Sequence, residues 1–309
     1  MDRQTIHTVP KAQSVRPADR LRTVLNPIIA AQQNTSQRLK YSLPWWPPQE
    51  RAIPNYFARS SLFAPIARGR RVFHRETLLV CRGSVEMRYT GEQLDEADAD
   101  LLLELIHHAR AQALGETVTF SRVEILRAMG RHTGKADYLW LHRRMKALTV
   151  ASLFIEALRP NGLLKYRVGT TEAFHIIQSF RYDEVTRKYS YVLDPSWNYL
   201  FENKEFSRID WAARIGIQRG QDMAKALQRL IASSADIRQR YALAWLKELM
   251  QYSGRMRDFK AALRRAVAEL KRLELVSEGA IELSSRKEEQ LSLLITRLTH
   301  RDSIAPSSG

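Results

Sequence analysis

Apolar residues recur at helical spacing in SGRMRDFKAALRRAVAELKRLELV, residues 253–276. At 100° per residue, Met256, Phe259, Leu263, Val267 and Leu270 share one side, which predicts a helix with a single buried face. Arg257, Lys260, Arg264 and Lys271 run along an edge beside that face, and Arg265 and Arg272 carry the charge round the outside. Upstream, YALAWLKELM (241–250) predicts a second amphipathic helix, parted from the first by QYSG. Helix, glycine-containing break and longer basic helix is the layout of a helix-turn-helix, whose second helix enters a DNA major groove. A solvated basic face on an ordinary helical hairpin has the same pattern. Recurrence of the layout separates the two.

ETVTFSRVEILRAMG (116–130) reads as a strand, a Ser121 cap and a helix ending at Gly130. RHTGKADYLWLHRRMKALTVASLFIEA then gives a longer helix with Tyr138, Leu141, Met145 and Leu148 as its buried stripe. Lys135, His142 and Lys146 lie opposite, with Arg143 beside them. The following β-rich stretch has a hairpin signal at 159–162, which makes a wing carrying Arg159, Lys165 and Arg167. In the second copy LVSEGAIELSS is expected to form a strand-turn-strand wing. The tail RKEEQLSLLITRLTH is expected to form one more amphipathic helix.

Other elements fill in the frame. GRRVFHRETLLVCRG and SVEMRYTG predict two strands, and EQLDEADADLLLELIHHARA a helix whose acidic start suits the helix dipole better than a metal cluster. SLPWWPP (42–48) is a stiff extended segment, read as a strap over the first domain, with a peptide ligand for another protein as the alternative. The fold class is α+β: two tandem winged-helix domains behind a flexible basic arm. The boundaries are 1–42 for the arm, 43–200 and 201–285 for the winged helices, and 286–309 for a C-terminal helix and tail.

Charge sharpens this picture. The 309 residues carry 49 Lys and Arg against 33 Asp and Glu, a net +16 that favours polyanionic partners. Residues 1–75 hold 13 basic and 3 acidic residues, so +10 sits there and +6 in the rest, and the basic helices are local features of near-balanced domains. One cysteine, Cys81, excludes an internal disulfide framework and a multi-cysteine zinc site. No apolar run approaches a membrane span and the N-terminus lacks a secretion signal, so a cytoplasmic protein is expected.

Catalytic patterns are missing. GRHTGKA (130–136) falls one residue short of a nucleotide-binding loop and has Ala136 where magnesium needs a hydroxyl. No GxSxG, HExxH or paired-cysteine motif occurs, and Tyr89, Tyr189 and Tyr191 have no histidine cluster beside them, as a DNA-cutting tyrosine would require. The chain is therefore expected to be no enzyme and to need no cofactor.

Specific letters now add to the pattern. After Pro44-Trp45-Trp46-Pro47-Pro48 come Arg51, Ala52, Pro54, Asn55, Arg59, Ser60, Leu62 and Phe63, and Tyr89-Thr90-Gly91 leads into the acidic helix. In these motifs the chain resembles the TrfA family of plasmid replication initiators, from about Leu43 to Val276 and more weakly after Ala151. The resemblance implies two winged helices on directly repeated origin sites (iterons), opening of an adjacent AT-rich region, a monomer–dimer equilibrium, and recruitment of host initiator, replicative helicase and sliding clamp. The family's clamp-binding Q-L-S-L-F precedes its P-W-P stretch. QRLKYSL (37–43) does not match it, but QLSLL occurs at Gln290, Leu291, Ser292, Leu293 and Leu294.

The expected DNA contacts are Lys135, Leu139, His142, Arg143 and Lys146 in the first long helix, and Arg257, Lys260, Arg264, Arg265 and Lys271 in the second. Arg159, Lys165 and Arg167 are expected on phosphates. A dimeric winged-helix transcription regulator is the alternative function.

Overall fold

The computed structural model describes residues 41–66, 71–83, 85–158, 163–168 and 174–296. The expected arm and its short helix at 21–33, the wing tip at 159–162 with Arg159, and the tail from Arg297 lie outside the described residues.

Residues 41–296 fold as a mixed α/β unit with two hydrophobic cores, one built from residues between Leu43 and Trp211 and one from residues between Ile217 and Leu293. The chain opens with β1 (Glu50–Pro54), α1 (Asn55–Ala58), β2 (Phe63–Ala64), β3 (Phe73–Leu78), β4 (Val85–Glu92) and β5 (Leu94–Asp95). Next come α2 (Glu96–Ala109), β6 (Thr117–Ser121), α3 (Arg122–Ala128), α4 (Lys135–Val150), β7 (Ser152–Leu158) and β8 (Leu164–Val168). Then β9 (Phe174–His175), β10 (Ser179–Asp183), β11 (Lys188–Val192), α5 (Trp197–Phe201) and β12 (Phe206–Asp210) complete the first core. Helix α6 (Trp211–Gly216) follows with Trp211 packed in the first core, and the second core holds α7 (Asp222–Ala232), β13 (Arg238–Ala242), α8 (Leu243–Leu249), α9 (Met256–Arg272), β14 (Val276–Leu283) and β15 (Glu289–Ile295).

One sequence of elements occurs twice: helix, strand, seven-residue helix, long helix, antiparallel strand pair. In the first copy these are α2, β6, α3, α4 and β7–β8; in the second, α7, β13, α8, α9 and β14–β15. Each short helix ends in a methionine, Met129 or Met250, followed by a left-handed residue, Gly130 (φ 65°) or Gln251 (φ 50°). The buried sets of the long helices match as well. Leu141, Arg144, Met145, Ala147 and Leu148 correspond, 122 positions on, to Leu263, Ala266, Val267, Glu269 and Leu270. The duplication is therefore a duplication of buried faces, which the letters alone conceal.

Sheet connections differ between the copies. The second is a separate three-stranded sheet in the order β13-β15-β14. In the first, β7 pairs with β4, β8 and β9, while β6 joins β10–β11 in a separate sheet.

The structure corrects the expected C-terminal helix. Residues 289–295 form β15, the central strand of the second sheet, with Leu291 and Leu293 in the core. A short apolar run fits either period, and two flanking strands decide this one. LVSEGAIEL likewise runs as the single strand β14, and the hairpin turns at 284–288. Gly279 is not a turn residue: a Cβ there would lie 2.5 Å from Val267 Cγ1 and 2.9 Å from Leu293 Cδ2. Glycine lets β14 approach α9. The strap is seen as expected at Trp46, which is fully buried, rests on Phe201 and donates from Nε1 to His107 Nδ1 at 3.2 Å, whereas Trp45 is exposed.

The acidic start of α2 does more than complement a dipole. Asp95 and Asp98 form a reciprocal capping box. Glu96, Asp100 and Glu104, four residues apart on one face, take up arginines from both halves. Glu104 accepts from Arg51 at 2.7 Å. Glu96 and Asp100 hold Arg214 of α6 at 2.7 Å each, Glu96 also holds Arg229 of α7 at 2.7 Å, and Asp100 pairs with Lys225. Burial alone would raise the Asp100 carboxyl, but Arg214 and Lys225 hold it below the usual carboxylate range. Arg144 reaches this helix from α4, bonding Asp98 at 2.5 Å and Glu92 at 2.8 Å.

Candidate nucleic-acid interface

In α4 the buried stripe is Leu141, Met145 and Leu148, with Tyr138 half-buried. Gly134 stands at the N-cap of the helix in extended conformation. On the outer face Lys135, Leu139, Arg143 and Lys146 are exposed. His142 is not a free side chain on that face. It is half-buried among Phe180, Tyr182 and Tyr189, and its Nδ1 lies 3.1 Å from the Tyr189 hydroxyl. Burial first and Lys146 second lower its pKa. The sequence shows its spacing on the outer face but not the hairpin that folds over it.

The expected wing contacts are also redirected. Lys165 is half-buried in an ion pair with Glu205, and Arg167 pairs across the sheet with Glu156 at 2.8 Å. Neither is presented as a free cation.

In α9, Phe259, Leu263, Val267 and Leu270 form the buried face as the periodicity predicts. Arg257, Arg264, Arg265 and Lys271 are exposed. Lys260 is not: it is half-buried and ion-paired with Glu289 of β15, tying helix to sheet. Arg264 and Lys271 rim a small cavity of about 160 Å³ between α9 and β14, floored by Val267, Gly279 and Leu291. Exposed basic positions recur between the helices at the spacing of the buried faces, Lys135 with Arg257 and Arg143 with Arg265.

Sequence reasoning passes over Arg122 and Arg255. Arg122 opens α3, stacks over Tyr138 at 3.9 Å and donates to the Tyr182 hydroxyl at 2.8 Å. Arg255 caps α9 and its side chain is 79% exposed. Their positions at helix starts were legible; their neighbours were not.

The QLSLL motif cannot serve as an exposed clamp ligand in this fold. Leu291 and Leu293 are core residues, and Gln290 and Leu294 are only half-exposed on the central strand. The three tyrosines Tyr89, Tyr189 and Tyr191 are buried strand residues. Burial raises all three hydroxyls above their ordinary pKa, that of Tyr189 to about 12. Among the described residues no helix is long and apolar enough to cross a membrane.

The family model described as TrfA protein matches residues 16–279. A plasmid replication initiator protein TrfA from Escherichia coli is 23% identical over 190 residues, covering 58% of this chain and 48% of the relative. The chain thus matches about half the length of that relative. Domains 2 and 3 of RctB superpose with a TM-score of 0.50 at 13% identity, over 79% of this chain and 99% of that one. The Pi initiator protein in complex with iteron DNA superposes with a TM-score of 0.46 at 16% identity, over 65% of this chain and 95% of that one.

Proposed function

The chain belongs to the TrfA family of plasmid replication initiators, and from that premise we propose that it binds directly repeated origin sites through two winged helices. The observation that carries this reading is the twice-occurring unit of short helix, turn, long helix and strand pair, with basic residues left exposed at equivalent places on both long helices. In each unit the long helix is the reader and the strand pair the wing. Arg143 and Lys135 read through α4; Arg257, Arg264 and Arg265 read through α9, with Lys271 on phosphate. An arginine fork on guanine O6 and N7 supplies about 1–3 kcal/mol of discrimination per base pair.

Two readers on one duplex supply specificity that one short helix cannot. Several copies on adjacent repeats bend the duplex, and neighbouring AT-rich steps yield first. Host initiator and replicative helicase are then recruited, with a monomer–dimer equilibrium setting how much protein is available. The role is one of binding in the cytoplasm, with no bond broken by the chain's own residues. Any clamp contact uses a surface other than QLSLL.

The test is selection of duplexes from a random-sequence library by the full chain, followed by footprinting. A non-palindromic site that recurs as direct repeats at the replicon's origin supports the reading; a palindrome at a promoter supports a dimeric regulator and overturns it. In the same assay Arg264→Ala is expected to lower the ratio of selected-site to random-duplex affinity about tenfold or more, as loss of one good base contact requires. An unchanged ratio removes α9 as a reader.

A further inference from the structure

The hairpin β10–β11 belongs to neither repeated unit, yet it packs on the first. Tyr182 and Tyr189 face each other across its strands, with ring centroids 4.7 Å apart, and turn towards α4. There His142 meets Tyr189, and Arg122 donates to Tyr182. A cavity of about 460 Å³ separates the hairpin from the N-terminal half of α4, lined by Lys135, Leu139 and His142 on one side and Tyr182 and Glu184 on the other. Register places the tip. Lys188 lies opposite Ser121, the residue that caps α3, so residues 184–187 project beyond the start of that helix.

The tip is built stiffly. Asp183 Oδ1 accepts from the N–H groups of Val185 and Thr186 at 2.9 and 3.1 Å. Arg187 adopts φ 56°, a left-handed conformation that glycine or asparagine takes more easily. A long cationic side chain is kept there, exposed, with Lys188 exposed beside it. Lys287 takes the same conformation in the β14–β15 turn (φ 59°), so both hairpin tips carry a cation at this turn position.

We propose that β10–β11 is a further DNA-contacting element, which lays Arg187 and Lys188 on the sugar–phosphate backbone beside the groove read by α4. The first helix of a helix-turn-helix crosses the backbone at its own start, and the tip extends that line of contact. Glu184, on the α4 side, opposes the same backbone. The inference rests on α4 being a reader.

The experiment measures affinity of the full chain for its selected duplex and for a random duplex across a potassium chloride series. Arg187→Gly relieves the left-handed strain, so it is expected to fold at least as stably as the parent, with an equal or higher Tm. Combined with Lys188→Ala it should weaken both duplexes about tenfold and make the slope of log K against log salt shallower by about 1.8, two phosphates' worth. Hydroxyl-radical protection should shrink on one flank only. Glu184→Gln should tighten both, an opposite sign that misfolding does not produce. Unchanged slope and footprint in Arg187→Gly/Lys188→Ala, while Arg143→Ala weakens binding, overturn the hairpin contact and leave the two readers standing. If Arg143→Ala is also without effect, the reading of α4 falls and the hairpin with it.

Discussion

Glu96 accepts one arginine on each carboxylate oxygen, Arg214 on Oε2 and Arg229 on Oε1, and neither it nor Arg214 has any exposed surface. Removing one partner of such a group leaves a buried charge, which costs about 3–5 kcal/mol. Arg214→Ala takes one of two cationic partners from each of the buried carboxylates Glu96 and Asp100 and is expected to lose about that much in urea unfolding, whereas Arg265→Ala, exposed on α9, should cost less than about 0.5 kcal/mol. Two half-buried groups have pKa values shifted in opposite directions. Burial, then Arg51 and Arg110, lower the pKa of His107 to about 4, so the neutral ring stabilises the fold above pH 6.5 and this is lost as pH falls towards 4. Burial, then Asp98, raise Asp95 to about 7 against the relief from Arg71, so its contribution is full below about 3.8 and lost as pH rises to 7. The two slopes offset each other in the parent. Urea midpoints from pH 4.5 to 7.5 should fall with rising pH in His107→Gln, which keeps an acceptor for Trp46. They should fall with decreasing pH in Asp95→Asn, which keeps the cap.

Among elements, β15 is the instructive one. Leu291, Leu294, Ile295 and Leu298 are spaced as a helical stripe, while Leu291 and Leu293 alternate as a strand. Strand wins because β13 and β14 offer backbone partners on both sides and Val267 and the open face of Gly279 accept Leu293. Leu293→Ala should therefore cost about 2–5 kcal/mol as a core cavity, seen as a lower midpoint of thermal or urea unfolding. It should not act as a selective loss of clamp binding in a correctly folded chain. The long helices, by contrast, were legible: four apolar residues of α9 form the buried face their spacing assigns. The side-chain contacts were less so. His142, Lys165 and Lys260 read as free basic positions until the hairpin, Glu205 and Glu289 are folded against them.

For the whole molecule, α2 and α7 join the two cores by ion pairs instead of by a flexible tether. Arg229 adds hydrogen bonds to the carbonyls of Phe57, Ala58 and Phe63, at 3.0, 3.1 and 2.7 Å, and Gln251 bridges Gln93 and the carbonyl of Ser61. The proposed readers α4 and α9, held this way, have a set spacing and phase. Inserting 5 base pairs, about half a helical turn, between the halves of a selected site is expected to reduce affinity to that of one half-site, while about 10 base pairs restores phase but not reach. Gel-shift titration of the spaced duplexes checks it, and equal affinity at every spacing would show that the junction bends freely.

The sequence by itself determined what is local. Periodicity set the two long helices, Ser121 and Gly130 marked the ends of the first short helix, and the letters from Arg51 to Phe63 carried the family. Only the tertiary structure decided which cations remain exposed, that QLSLL is a core strand, and that the acids of α2 join the halves. The reason is physical: a helix needs only bonds within its own segment, whereas a strand or a buried charge takes its state from partners far along the chain.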